Sequence, residues 1–151
     1  MATKPIPDGY HSVTAYLYLD GASRAIDFYK KAFGAKERMR MPGPNDTVGH
    51  AELEIGDSVI MLADNPNRSP KELGGATASM LIYVEDVDAT FKRAIDAGAT
   101  VLQPLENKFY GDRMGMVTDP FGQEWSLGTH VEDVSPEEMQ KRSAKMMAST
   151  A

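Results

Sequence analysis

The chain has 151 residues, 22 acidic against 16 basic for a formal net charge of −6, and no cysteine. That composition excludes a disulfide framework, a thiolate metal site and a cysteine nucleophile, and the lack of any lysine- or arginine-rich block argues against nucleic acid as a partner. About 150 residues suit one domain whose core needs no staple. With no apolar signal-like stretch at Met1 to Pro7 and no run long enough to span a membrane, the expectation is a soluble, cytoplasmic protein with no membrane partner.

Residues 13–19 read as a strand. Val13, Ala15, Leu17 and Leu19 form one face, Thr14, Tyr16 and Tyr18 the other, and Asp20-Gly21 ends the run. Ser23 is placed to cap a helix whose apolar positions Ala25, Ile26, Tyr29, Ala32 and Phe33 recur at helical spacing, with Gly34 closing it. Residues 35–41 read as a second strand, and Pro42-Gly43-Pro44-Asn45-Asp46 as a loop. Residues 48–55 alternate again, with Ala51, Leu53 and Ile55 on one side and His50, Glu52 and Glu54 on the other; Gly56-Asp57 is a hairpin signal leading into residues 58–63.

Residues 65–75 have linker composition, and the same order of elements then returns. Residues 79–84 are a strand, and Asp88 is placed to cap a helix bearing Phe91, Ala94, Ile95 and Ala97 that ends at Gly98. Residues 100–102 form a short strand, and a loop over 105–112 carries Phe109 and Tyr110. Strands 114–118 and 124–128 pair across Asp119-Pro120-Phe121-Gly122. Ser135-Pro136-Glu137-Glu138 opens a final helix reaching about residue 147. Its weak stripe of Met139, Met146 and Met147 suits a peripheral helix, a dimer contact or a tail. The start of the first helix–strand unit at Tyr18 matches the second at Tyr83, a shift of 83 − 18 = 65 residues. The fold expected is α+β: two tandem βαβββ modules at 10–64 and 76–130 inside a domain of 1–134, forming a cup-shaped mixed sheet, followed by a C-terminal helix or tail over 135–151.

The helix Ile26-Asp27-Phe28-Tyr29-Lys30-Lys31-Ala32-Phe33-Gly34-Ala35 and the segment Asp119-Pro120-Phe121-Gly122-Gln123-Glu124-Trp125, set in a doubled βαβββ unit, resemble the vicinal oxygen chelate superfamily. That superfamily includes glyoxalase I, extradiol dioxygenases, fosfomycin-resistance proteins and bleomycin-binding proteins. The resemblance spans residues 10 to 130. Phe109-Tyr110-Gly111-Asp112-Arg113 and the run from Thr129 to Glu138 look like the PhnB-like group in particular. It implies modules paired within one chain or swapped between two, and hence an expected homodimer around a small-molecule ligand. It also implies two metal ligands per module, drawn from His, Glu or Gln, and the slots fall at Thr14, Met61, Ser79 and Ser126. Hydroxyls and a thioether offer a divalent ion neither charge nor imidazole nitrogen. No cofactor is therefore expected, and glyoxalase I activity is not.

A relocated centre is the alternative. His50 and Glu52 project from one strand face, and with Glu124 they form a candidate set for catalysis or for a divalent metal in a lyase, isomerase or dioxygenase; a solvated strand face is the plainer reading. The candidate ligand wall is Thr14, Tyr16, Tyr18, Arg40, His50, Met61, Ser79, Tyr83, Phe109, Tyr110 and Ser126, with Arg38 nearby if the second strand alternates regularly. Trp125 belongs to the core, and His11 and His130 to the rims. The function expected is sequestration of an aromatic or cationic compound without a metal; a ligand-free regulatory or structural dimer is the third reading.

Overall fold

A computed structural model describes residues 3–150. In chain order the elements are β1 (Tyr16–Leu19), α1 (Ala22–Phe33), β2 (Lys36–Pro42), β3 (Val48–Ile55), β4 (Ser58–Asp64), α2 (Pro70–Leu73), β5 (Ser79–Tyr83), α3 (Val87–Asp96), β6 (Thr100–Asn107), β7 (Asp112–Thr118), β8 (Glu124–His130) and α4 (Pro136–Ser149). They build two four-stranded sheets, ordered β1-β4-β3-β2 and β5-β8-β7-β6. Each sheet has one parallel pair, β1 with β4 and β5 with β8, and two antiparallel ones. The result is the α+β architecture of two βαβββ modules. Among the described residues no helix is long and apolar enough to cross a membrane.

The internal repeat is visible in the hydrogen bonding. Tyr16 pairs with Met61 in the first module and Leu81 with Ser126 in the second, each partner displaced by 65. The helix starts repeat as well. The Asp64 carboxylate, at the end of β4, accepts from the backbone N–H groups of Gly21 and Ala22 at 2.9 and 2.8 Å. At the equivalent place in the second module the Thr129 hydroxyl accepts from Val87 N–H at 3.0 Å. In both modules the end of the last strand satisfies the first turn of the module's own helix, where orphan donors accumulate.

One core serves both modules. Leu17, Leu19, Ile26, Tyr29, Leu53 and Leu62 from the first meet Val87, Val117, Trp125 and Leu127 from the second, and all are buried. Aromatic rings make the junction: Trp125 packs edge-on against Tyr29 with centroids 5.3 Å apart and lies 4.9 Å from Phe33. Beneath them sits Asp119, 4% exposed. Its carboxylate accepts from Tyr29 Oη at 2.6 Å, Trp125 Nε1 at 3.0 Å, and the N–H groups of Phe121 and Gln123 at 2.9 Å each. Four donors compensate the buried charge. The acid at the head of the 119–125 turn thus fastens α1 of the first module to the second.

Several local expectations give way to longer-range chemistry. Ser23 is inside α1 and does not cap it; Gly21, in the left-handed region at φ 94°, precedes the helix and Asp64 supplies the acceptor. Asp86, not Asp88, caps α3, and Asp88 pairs with Arg113 instead. Residues 65–75 are not plain linker. They hold a 3-10 turn at Pro66–Arg68 and the short α2, capped by Ser69. The strand expected at 100–102 continues to Asn107, because Pro104 lies in β6, an edge strand that tolerates a missing N–H. At the C-terminus Ser135 caps α4 as expected, its hydroxyl accepting from Glu138 N–H.

Candidate functional site

The helices cover one face of each sheet, and the chemistry lies on the other. On the first sheet β1 and β3 present a continuous row. The Tyr16 and Tyr18 rings are 5.1 Å apart, Tyr16 and His50 are 5.6 Å apart, and the Arg68 guanidinium sits 4.1 Å above the Tyr18 ring. Tyr16 Oη and His50 Nδ1 are hydrogen-bonded at 2.9 Å, and His50 Nε2 faces Glu52 Oε1 at 3.4 Å. Strand alternation explains the grouping: Tyr16, Tyr18, His50 and Glu52 are the side chains the sheet turns away from α1.

The segment before β1 folds over one end of this face. With Thr14, Glu52 and Met61 below and Pro5, Ile6, Pro7, Tyr10, His11 and Ser12 above, it bounds an open cavity of about 470 Å³. The Tyr10 hydroxyl is shielded from water and meets no partner at hydrogen-bonding geometry. It still approaches Glu52 closely enough to act on it. Tyr10 first, then His50 and Arg38, hold the Glu52 carboxyl below its usual range against the opposing effect of burial. Desolvation in turn pushes the Tyr10 and Tyr16 phenols above theirs.

Arg38 and Arg40 part company. A register shift between Glu37 and Met39 makes Arg38 the extra residue of a bulge, and its guanidinium lies 5.2 Å from the Tyr10 ring centroid. Arg40 is paired with Ala51 and faces the helix side, bonding Glu37 and the Ser23 hydroxyl. Arg40 therefore does not belong to the expected ligand wall, because the bulge breaks the simple alternation that put it there.

The second sheet repeats the arrangement with different partners. Leu81 and Tyr83 are exposed on its helix-free face, and Tyr83 Oη donates to Asp112 Oδ2 at 2.7 Å. Asp112 is buried, and its other oxygen meets His130 Nδ1 at 2.7 Å, while His130 Nε2 meets Asp133 at 2.8 Å. Asp133, then Asp112, raises the His130 imidazole above its usual value. His130 is thus the last residue of β8 and pins the chain leaving it. Tyr110 stacks edge-on with Phe109 at 5.2 Å and reaches Met114 Sδ at 3.5 Å, and Arg142 of α4 donates to the Phe109 carbonyl. The two loop aromatics are half-buried. The sequence motifs contain Asp112, His130 and Asp133 but do not signal that they bond, since β7–β8 pairing is what brings Asp112 to His130.

The relocated centre is not assembled within the chain. His50 and Glu52 are on β3 of one sheet and Glu124 on β8 of the other, with no shared ladder. Among the described residues no group of three His, Cys, Asp or Glu side chains is placed to hold a metal ion. The four family slots divide the same way: Thr14 and Met61 line the cavity on the first sheet, while Ser79 pairs with Glu124 and Ser126 with Leu81 on the second. Their donor atoms do not fit a divalent metal. Trp125 is core, as its alternation with Ser126 requires.

Two βαβββ modules, each sheet covered by helices on one face and open on the other, are the architecture of the vicinal oxygen chelate type. The sequence profile of the Glyoxalase/Bleomycin resistance protein/Dioxygenase superfamily matches residues 11–127, and the chain belongs to that superfamily. It is 44% identical over 136 residues to the uncharacterized protein Rv0887c of Mycobacterium tuberculosis, covering 85% of this chain and 80% of that one. It is 31% identical over 111 residues to the uncharacterized protein At5g48480 of Arabidopsis thaliana, covering 67% of each. Among solved structures it is similar to TioX from Micromonospora sp. ML1, with TM-score 0.63 and 27% identity over 83% of this chain and 100% of that one. The PhnB protein from Bacillus cereus shares the fold at TM-score 0.62 and 21% identity, over 79% and 99% of the two chains.

Proposed function

We propose that the protein binds a small aromatic or cationic molecule on the helix-free face of its sheets, without a divalent metal at the superfamily's four slots. The observation that carries this reading is the row Arg68–Tyr18–Tyr16–His50 lying open beside Glu52, where the superfamily resemblance implies metal ligands and this chain has Thr14 and Met61. Aromatic faces bind organic cations by their quadrupole at about 0.5–2 kcal/mol per contact, and the chain's net charge of −6 favours the same sign of ligand. Two copies of the chain pair as a homodimer so that exposed Leu81 and Tyr83 leave water.

The test is calorimetry with benzyltrimethylammonium, a compact aromatic cation, with and without EDTA. Dissociation constants in the micromolar range that chelator leaves unchanged support the reading. Binding or turnover that chelator abolishes overturns it in favour of a metal-dependent enzyme.

A further inference from the structure

We propose that Tyr16, backed by His50 and Glu52, is a proton-accepting subsite for a small molecule carrying an acidic hydroxyl, such as a phenol or enol. The inference rests on the small-molecule reading above and says which chemical group the first sheet takes.

The direction of the hydrogen-bond chain carries the argument. An ionised carboxylate only accepts, so His50 Nε2 carries hydrogen toward Glu52. A neutral imidazole then has a lone pair on Nδ1, and at 2.9 Å that lone pair takes the Tyr16 hydroxyl hydrogen. The Tyr16 oxygen is left with lone pairs alone to offer on the exposed side of its ring. Its partner on that side must donate. Tyr83 on the second sheet is locked the same way, its hydrogen given to Asp112.

An acidic hydroxyl placed on Tyr16 can go further than a hydrogen bond. The ligand O–H breaks and its proton passes to Tyr16 Oη as the Tyr16 proton passes to His50 Nδ1. The product is a ligand oxyanion and an imidazolium whose Nε2–H faces the Glu52 carboxylate. Charge and protons balance, and no oxidant or co-reactant enters. The titratable and charged groups around His50 are Glu52 on β3, Tyr16 and Tyr18 on β1, Arg38 on β2, Tyr10 in the segment before β1, and Arg68 over the Tyr18 ring, which like Arg38 favours an oxyanion. Arg38 favours the oxyanion and opposes the imidazolium, but the Tyr10 ring and Glu52 stand beside it. Glu52 is the charge nearest the imidazole.

The probe is 4-nitrophenol, which ionises near neutrality and whose phenolate absorbs visible light. Titrated into the protein across that range, the bound probe is expected to ionise about one pH unit below the free probe, a tenfold larger phenolate-to-phenol ratio at a given pH. Tyr16→Phe and His50→Gln should each remove the shift while the probe still binds, with circular dichroism confirming a folded chain. A bound probe that ionises at or above the free value, or a shift that survives Tyr16→Phe, overturns the relay. Failure of 4-nitrophenol to bind while benzyltrimethylammonium binds also overturns the relay and leaves the small-molecule reading standing; failure of both probes overturns that reading too.

Discussion

Replacing Asp119 by alanine tests how one buried acid holds the two modules together. Its carboxylate, 4% exposed, accepts from Tyr29 Oη, Trp125 Nε1 and the N–H groups of Phe121 and Gln123. Removing it strands donors in the core, each costing about 1–3 kcal/mol when left unpaired, and water entering the small void recovers part of that. A net loss of about 4 kcal/mol follows, in the range found when one partner of a buried charged network is deleted. At roughly 2–4 °C per kcal/mol for a domain of this size, the melting temperature should fall by about 8–16 °C. Tyr29→Phe removes one charge-assisted bond and leaves Asp119 three donors, so it should cost only about 1.5 kcal/mol. Thermal unfolding followed by circular dichroism measures both. If Asp119→Ala melts within about 2 °C of the parent, which is the range of a surface substitution, the idea that this carboxylate fastens α1 to the second module is wrong.

Other perturbations probe the repeat and the C-terminal docking. Asp64→Ala leaves the N–H groups of Gly21, Ala22 and Val48 without their acceptor and should destabilise by about 2 kcal/mol, the upper end for a lost helix cap. Thr129→Val, its counterpart, strands Val87 N–H and should cost about 1 kcal/mol, both read from denaturant midpoints. His130 has a raised folded value, so its link to Asp112 and Asp133 is fully present below the unfolded pKa and is lost as pH rises through the folded one. Hydrogen exchange should therefore show residues 131–149 better protected on the acid side of neutrality than on the alkaline side, modestly so because the imidazole is half exposed. In His130→Gln that pH dependence should vanish; its persistence would remove His130 from the account.

The doubled unit was legible because its signals are local. Alternation in residues 48–55 and 16–19, the spacing from Ala25 to Phe33 and the Asp119–Gly122 turn placed the strands and helices, and Tyr16 with Tyr18 on the same face as His50 and Glu52, although the strand expected from Val13 begins only at Tyr16 and Val13 is exposed. What escaped depends on residues far apart in sequence. Asp64 caps a helix that begins 42 positions earlier, and no window of local sequence contains both ends. The bulge at Arg38 reverses the face of Arg40, and a bulge has no clear signal in Glu37-Arg38-Met39. Glu124 shares a side-chain parity with Ser126 but a sheet with neither His50 nor Glu52, which only strand order reveals. The direction of the Tyr16–His50–Glu52 chain likewise needs distances, not spacing.

The central claim is that the tyrosine-lined face binds a small molecule without metal, and titrating benzyltrimethylammonium into chelator-treated protein tests it most directly. The account predicts saturable micromolar binding, unchanged by EDTA and weakened about tenfold by Tyr16→Ala, which removes the exposed ring of the row. Absence of binding, or binding that appears only when a divalent metal is restored, would contradict it.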